Sequence, residues 1–139
     1  MTDAEPSGPV QTQQISGDDD VVRVRQLVRS AAVATKLSLV DQTKLVTAAS
    51  ELARNTLIYG GGGHAEVVPV TNGRRNGLRI TFVDDGPGIA DVERAFADGF
   101  STGGGLGLGL SGSRRLMDEF ELVTVVGKGT TVTAVKWER

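Results

Sequence analysis

The stretch GFSTGGGLGLGL, residues 99–110, restricts the fold most, because half of its residues are glycine. A flexible linker, a dinucleotide-binding loop and a loop that closes over nucleotide phosphates all have such a composition. A linker is disfavoured because a helix with the core residues Leu116, Met117 and Phe120 is predicted directly afterwards. A dinucleotide fingerprint must follow a strand, whereas this stretch follows loop residues. Free N–H groups at a helix start, preceded by glycines, predict an anion site.

The composition excludes several other classes of function. A chain of 139 residues suits one domain, predicted here over residues 10–139 after a disordered tail over residues 1–9. The net charge of −2 predicts neither a nucleic-acid partner nor a membrane partner. Without cysteine, and with His64 as the lone histidine, thiolate chemistry and a histidine zinc cluster are excluded. No apolar run approaches the roughly 20 residues of a membrane span, so we expect a cytoplasmic protein.

Two helices are predicted in the first half of the chain. Residues 10–16 alternate weakly and predict a short edge strand, and the acidic residues 18–20 then mark a helix start. A second helix is expected to begin near Ser38, because Ser38 and Asp41 have the spacing of a capping box. The residues SRRLMDEF are expected to end a later helix.

Strands are predicted in two pairs. AEVVPVT and GLRITFVDD flank a polar turn, and Pro69 assigns the first of them to a sheet edge or gives it a bulge. The chain closes with a hairpin whose turn is residues 127–129. This order of helices and strands predicts an α+β fold in which helices cover one face of a mixed sheet.

Glu51 and Asn55 are four residues apart on the second helix and therefore project from one face. One interpretation is a solvated polar pair, which is common on helices. The other is a general base beside a magnesium ligand, since Mg²⁺ often takes only one or two protein oxygens.

The segment Asp84 to Ile89, DDGPGI, stands where a strand ends. One interpretation is an ordinary turn, because Asp, Gly and Pro are turn residues. The other is a carboxylate that accepts a hydrogen bond from the adenine amine, with glycines that let a flat base approach the backbone. Guanine has no amine at that position.

The order and spacing of these features resemble the GHKL ATPase superfamily. The E-x-x-x-N helix is residues 51–55, D-x-G-x-G is residues 84–88, G-x-G-x-G-L is residues 105–110, and a Gly-Thr pair is residues 129–130. SELARN, DGPGI, DGFST, GLGLGL, RLMDEF and the final KW resemble the RsbT family of serine/threonine-protein kinases over nearly the whole chain. The resemblance implies a two-layer α/β sandwich of the Bergerat type with a mostly antiparallel sheet.

The resemblance also implies ATP and Mg²⁺ as cofactors, and roles for individual residues. Glu51 is the general base, Asn55 holds Mg²⁺, Asp84 binds the adenine amine, and Thr130 supports Asp84 directly or through water. Arg54 is expected to contact either a partner protein or a phosphate. The further ATP-binding residues that it implies are Gly86, Gly88, Ile89, Ser101, Thr102, Gly105, Leu106, Gly107, Leu108, Gly109 and Leu110.

Family members phosphorylate STAS-domain proteins of the RsbS or RsbR type, and then bind and activate a serine phosphatase of the RsbU type. The resemblance therefore implies these partners here. An anti-sigma factor kinase of the RsbW or SpoIIAB type is the alternative, and a non-catalytic ATP-dependent binding module is a third interpretation. A sensor histidine kinase is disfavoured, because His64 follows a glycine run and does not lie in a predicted helix.

Overall fold

A computed structural model describes residues 4–96 and 109–139. The helices and strands of these residues, in chain order, are β1 (Glu5–Pro6), β2 (Gln11–Ile15), α1 (Asp18–Ala34), α2 (Leu39–Ile58), β3 (Gly63–Thr71), β4 (Asn76–Asp84), α3 (Val92–Ala95), α4 (Gly109–Leu116), β5 (Glu119–Val125) and β6 (Gly129–Trp137).

The strands form one sheet in the order β1-β3-β4-β6-β5, and β2 also pairs with β3. Each pairing between the described strands is antiparallel. Alternate residues of the central strands, such as Ile80, Phe82 and Val132, are buried in one core with Leu45 and Leu52 of α2. The structure therefore confirms the predicted α+β fold with its mostly antiparallel sheet.

The opposite face of the sheet carries a second, smaller apolar cluster. It consists of Val68, Val70, Val135 and Trp137, with Ala4 packed against it. Because successive strand residues point to opposite faces, this cluster and the main core share the same strands without contact between their side chains. The sheet is thus apolar over part of its second face as well.

The N-terminal segment differs from the sequence prediction. Residues 5–6, expected in a disordered tail, form β1 and pair with β3, and the Ser7 N–H donates to the Pro69 carbonyl at 2.8 Å. Pro69 therefore does not lie in an edge strand. In an antiparallel strand the N–H and C=O of one residue point to the same side. The N–H that proline lacks would thus face Ser7, so the second bond of this pair cannot form, and β1 ends at Pro6.

The capping box predicted for α2 is only half formed. The Ser38 hydroxyl accepts a hydrogen bond from the Asp41 N–H at 3.1 Å, as predicted. The Asp41 carboxylate is buried instead, and its oxygens lie 3.7 Å from Lys136 Nζ and 3.7 Å from Arg139 Nε. Asp41 is therefore a partner of the last strand and of the C-terminus. The predicted later helix is a second difference, since α4 ends at Leu116, Met117 follows it, and Phe120 belongs to β5.

Lys136 connects the end of α4 to the sheet. Its side chain is 3% exposed, and its ammonium group donates a hydrogen bond to the Leu116 carbonyl at 2.9 Å. Asp118 lies 3.7 Å from the same ammonium group, accepts a hydrogen bond from the Trp137 N–H and pairs with Arg139 at 2.6 Å. A cation near the last carbonyls of a helix is favourable. This network anchors the C-terminal end of α4.

The acid stability of the fold is expected to depend on Asp118. Burial raises the pKa of Asp118, but the Trp137 N–H, the Arg139 guanidinium and the charge of Lys136 outweigh it, so the pKa lies below its ordinary value of 3.8. A lowered pKa stabilises the fold above that ordinary value, and this contribution is lost as the pH falls through the folded value. The free energy of unfolding should therefore fall more steeply between about pH 5 and pH 3 in the wild type than in Asp118→Asn. Denaturant titrations measure this, with the exposed Asp85→Asn as control, and equal slopes would contradict it.

Candidate nucleotide site

A cleft of about 440 Å³ opens between α2, the loop after β4, α4 and the β5–β6 hairpin. This volume lies within the range of small-ligand sites. Its apolar walls include Leu52, Phe82, Ile89, Leu122 and Val132. Polar residues come from three places: Asn55, Thr56 and Tyr59 on the α2 side, Asp84 and Thr130 at the ends of the strands, and Asp91 and Arg94 at α3.

Six of the residues predicted from the sequence line this cleft. They are Asn55, Asp84, Gly88, Ile89, Leu110 and Thr130. Glu51 lies one turn before Asn55 on α2 and is half-buried, but it is not among the lining residues. Arg54, between them, is exposed. Ser101, Thr102, Gly105, Leu106, Gly107 and Leu108 lie outside the described residues.

Asp84 is the last residue of β4, and its backbone pairs with Thr130 of β6. Its Oδ1 accepts a hydrogen bond from the Gly86 N–H at 2.9 Å, which holds the carboxylate in an Asx turn. Gly60 packs directly on this carboxylate, so that a Cβ atom on Gly60 would overlap the Asp84 side chain. A Cβ on Gly86 would lie 2.7 Å from Gly60 Cα. The two glycines thus let α2's end approach the loop after β4.

The loop after β4 is held against the β5–β6 hairpin by two hydrogen bonds. The Gly127 N–H donates to the Pro87 carbonyl at 2.7 Å, and the Ile89 N–H donates to Thr124 Oγ1 at 2.8 Å. Gly88 lies between them with a φ of 76°, and a Cβ there would come within 2.5 Å of the Val125 carbonyl oxygen. The cleft wall therefore rests on the hairpin backbone.

α4 begins at Gly109, where φ is 70°, and Leu110 beside it is buried in the cleft wall. Arg114 of α4 stacks over the Phe96 ring at 4.3 Å, and Phe96 meets Phe120 edge-on at a centroid distance of 5.9 Å. Phe96 is the last described residue before residue 109. These contacts fix α3 and α4 to each other and to β5.

Residues 40–138 match the family of histidine kinase-, DNA gyrase B- and HSP90-like ATPases. The chain belongs to this ATPase family. The serine/threonine-protein kinase RsbT of Bacillus subtilis (strain 168) is 48% identical over 120 residues, which are 86% of this chain and 90% of that protein. The predicted resemblance is therefore confirmed: within the ATPase family, the chain is an ATP-dependent protein kinase of the RsbT type.

Two further relatives are more distant. The anti-sigma F factor of Thermoanaerobacter sp. (strain X514) is 29% identical over 119 residues, 81% of this chain and 82% of that protein. The solved structure of the RsbU and RsbW domains of a Mycobacterium tuberculosis protein has a TM-score of 0.67 at 18% identity. That match covers 95% of this chain but 33% of the other, and it shows the fold alone.

The ATPase-family motifs alone do not reveal two parts of the site. One is Gly60, the first residue of the glycine run 60–63, which contacts Asp84. The signal that could have revealed this contact is the place of the glycine run directly after the E-x-x-x-N helix. Thr124 lies opposite Thr130 in the closing hairpin, with 2.9 Å between their hydroxyl oxygens. Strand register is the signal for Thr124, but register is not visible before the pairing is known.

Neither a membrane-spanning helix nor a cluster of metal-ligating side chains occurs in the described ranges. No helix among residues 4–96 and 109–139 is long and apolar enough to cross a bilayer. In the same ranges, no three His, Cys, Asp or Glu side chains come together as a metal cluster. An apolar cleft with separate carboxylate and amide groups suits a flat base at one end and an oxygen-rich ligand at the other.

Gly60→Ala is expected to disturb the carboxylate end of the cleft. The added Cβ would overlap Asp84, so either the helix end or the carboxylate must move, at a cost of about 1–3 kcal/mol in the free energy of unfolding. Denaturant unfolding measures this cost. Gly17→Ala is the matched control, because a Cβ at Gly17 meets nothing within 4 Å. If both variants unfold like the wild type, the close approach is not required.

Proposed function

We propose that this chain transfers the γ-phosphate of ATP to a serine or threonine of a STAS-domain protein, and then binds and activates a serine phosphatase. The observation that carries the proposal is the joint position of Asn55, Asp84 and Thr130 in one apolar cleft, with Glu51 one helical turn from Asn55. The 48% identity to a serine/threonine-protein kinase supports the same reaction.

The strand end of the cleft is proposed to bind adenine. Asp84 is held by the Gly86 N–H through Oδ1, so its carboxylate is oriented before any ligand arrives. An ionised carboxylate only accepts hydrogen bonds, which suits the exocyclic amine of adenine. Phe82, Ile89 and Val132 would cover the faces of the base with apolar surface.

The α2 end is proposed to serve the phosphates. Phosphoryl transfer relies mainly on positioning and on charge stabilisation. Asn55 lines the cleft, and its amide oxygen would suit Mg²⁺, which prefers oxygen ligands and keeps phosphate and water in its other positions. The bound ion would neutralise phosphate charge. Gly109 and Leu110, at the start of α4, would offer backbone N–H groups, and residues 101, 102 and 105–108 would complete the ATP contacts.

Glu51 is proposed to be the general base. Its carboxylate would take the proton from the acceptor hydroxyl while that oxygen bonds to the γ-phosphorus and the bond to the β-phosphate oxygen breaks, releasing ADP. A position one turn from Asn55, outside the cleft lining, leaves room for a protein substrate to bring its hydroxyl from solvent.

The partners are proposed from the relatives. A chain so similar to RsbT is expected to act in a cytoplasmic stress-response module, with STAS scaffolds of the RsbS or RsbR type as substrates. Phosphorylation adds about two negative charges to the scaffold surface, which would weaken its complex with the kinase. The released kinase would then engage a phosphatase of the RsbU type.

A second candidate is an anti-sigma factor kinase. The 29% identity to an anti-sigma F factor and the shared fold with an RsbW domain favour it. A pull-down with STAS, phosphatase and sigma-factor partners, with and without ATP, separates the two proposals. Recovery of a STAS protein and a phosphatase supports the first, and recovery of a sigma factor supports the second.

Glu51→Gln is expected to slow phosphate transfer to a STAS protein by about 10²- to 10⁴-fold, because it removes the base without changing its size. Calorimetry should show that the variant still binds Mg-ATP, since Glu51 does not line the cleft. The control is Glu138→Gln, beyond the last strand. Wild-type transfer by the Glu51 variant would refute the base assignment.

Asp84→Asn is expected to weaken ATP binding about tenfold or more, because an amide can turn an N–H group toward the adenine amine and loses the charge-assisted hydrogen bond. The neighbouring Asp85→Asn is the matched control, as Asp85 is exposed and does not line the cleft. Titration calorimetry with ATP compares the two. Equal affinities would remove Asp84 from the adenine contact.

A further inference from the structure

Thr124 lies at the centre of three hydrogen bonds behind the strand end of the cleft. Its Oγ1 is 2.8 Å from the Ile89 nitrogen, 2.9 Å from Thr130 Oγ1 and 3.2 Å from the Gly129 carbonyl oxygen. The residue is half-buried and does not line the cleft. It therefore acts on a ligand only through the residues it holds.

The direction of these three bonds follows from counting protons. A threonine hydroxyl has one proton and two lone pairs. The Ile89 N–H can only donate and the Gly129 carbonyl can only accept, so Thr124 accepts from the first and donates to the second. Its remaining lone pair must then accept the proton of Thr130. This is the one arrangement in which all three bonds are made.

Thr130 consequently has no proton left for the cleft and presents only lone pairs there. The neighbouring Asp84 carboxylate, when ionised, also only accepts. The strand ends thus contribute to the cleft a wall of two acceptors, on paired residues of β4 and β6. Such a wall attracts an amino group and repels a carbonyl oxygen.

We propose that Thr124 is a positioning residue for base specificity. Because the Thr130 hydroxyl donates its proton to Thr124, Thr130 and Asp84 offer only acceptors to the cleft, and this wall selects a 6-amino purine over a 6-oxo purine. This inference rests on the proposed function, because it requires a purine nucleotide in the cleft. It adds to the contact of Asp84 a second acceptor whose polarity is set by a residue outside the cleft.

The test compares the dissociation constants of ADP and IDP, which differ at the 6-position of the base and undergo no transfer. The wild type should prefer ADP. In Thr124→Val the Thr130 hydroxyl can turn its proton to the cleft, so ADP should bind about fivefold more weakly while IDP loses less, and the preference should shrink. Thr124→Ser keeps the hydroxyl and should restore the wild-type preference. Thr133→Val, on the opposite face of β6, should keep it too.

A merely structural role predicts a different result, namely equal weakening of ADP and IDP with an unchanged ratio, and that result would overturn the inference. If Thr124→Val does not fold, Thr130→Val removes the same acceptor and should likewise reduce the ADP preference. If the wild type binds ADP and IDP equally, the acceptor wall is wrong although nucleotide binding stands. If it binds neither, the proposed function fails as well.

Discussion

The register between β4 and β6 is the constraint on which the site depends. It sets Asp84 opposite Thr130 and Phe82 opposite Val132, so that a polar pair stands directly above an apolar pair on the helix side of the sheet. A slip of one residue would turn the Asp84 side chain to the opposite face, because side chains alternate along a strand. At this end of β4 that face carries Val83 between its partners His64 and Thr131, none of which lines the cleft. The cleft therefore exists only in this register.

Much of this arrangement is readable in the sequence, because it is encoded locally. The spacing of Glu51 and Asn55 predicts one helix face, and Ser38 predicts the start of that helix, as the structure has it. The strand before Asp84 and the closing hairpin follow from alternation and from turn residues. The capping-box prediction is wrong for Asp41, because a tertiary contact competes with the local one. The Asp41 carboxylate faces Lys136 and Arg139 instead of its own helix end.

The parts that the sequence does not reveal are contacts between distant segments. The bond from the Ile89 N–H to Thr124 spans 35 positions, and the bond from Lys136 to the Leu116 carbonyl spans 20. Neither hydrophobic period nor turn chemistry carries information about such pairs. The chemical roles of Glu51, Asn55 and Asp84 stay predictions for a related reason, since geometry brings groups together without showing what they do.

The two ends of the cleft are held by different physical means. The end proposed to bind the base rests on strand pairing and on the hydrogen bonds of Thr124, all within the described residues. The end proposed to bind the phosphates rests on α2, whose Leu52 packs into the core, and on α4, whose last carbonyl accepts a hydrogen bond from Lys136. The proposed base contacts therefore all come from the described residues, whereas the proposed phosphate contacts include residues 101, 102 and 105–108. Substitutions behind Asp84 and Thr130 should therefore alter which nucleotide binds, whereas substitutions along α2 should alter the transfer of its phosphate.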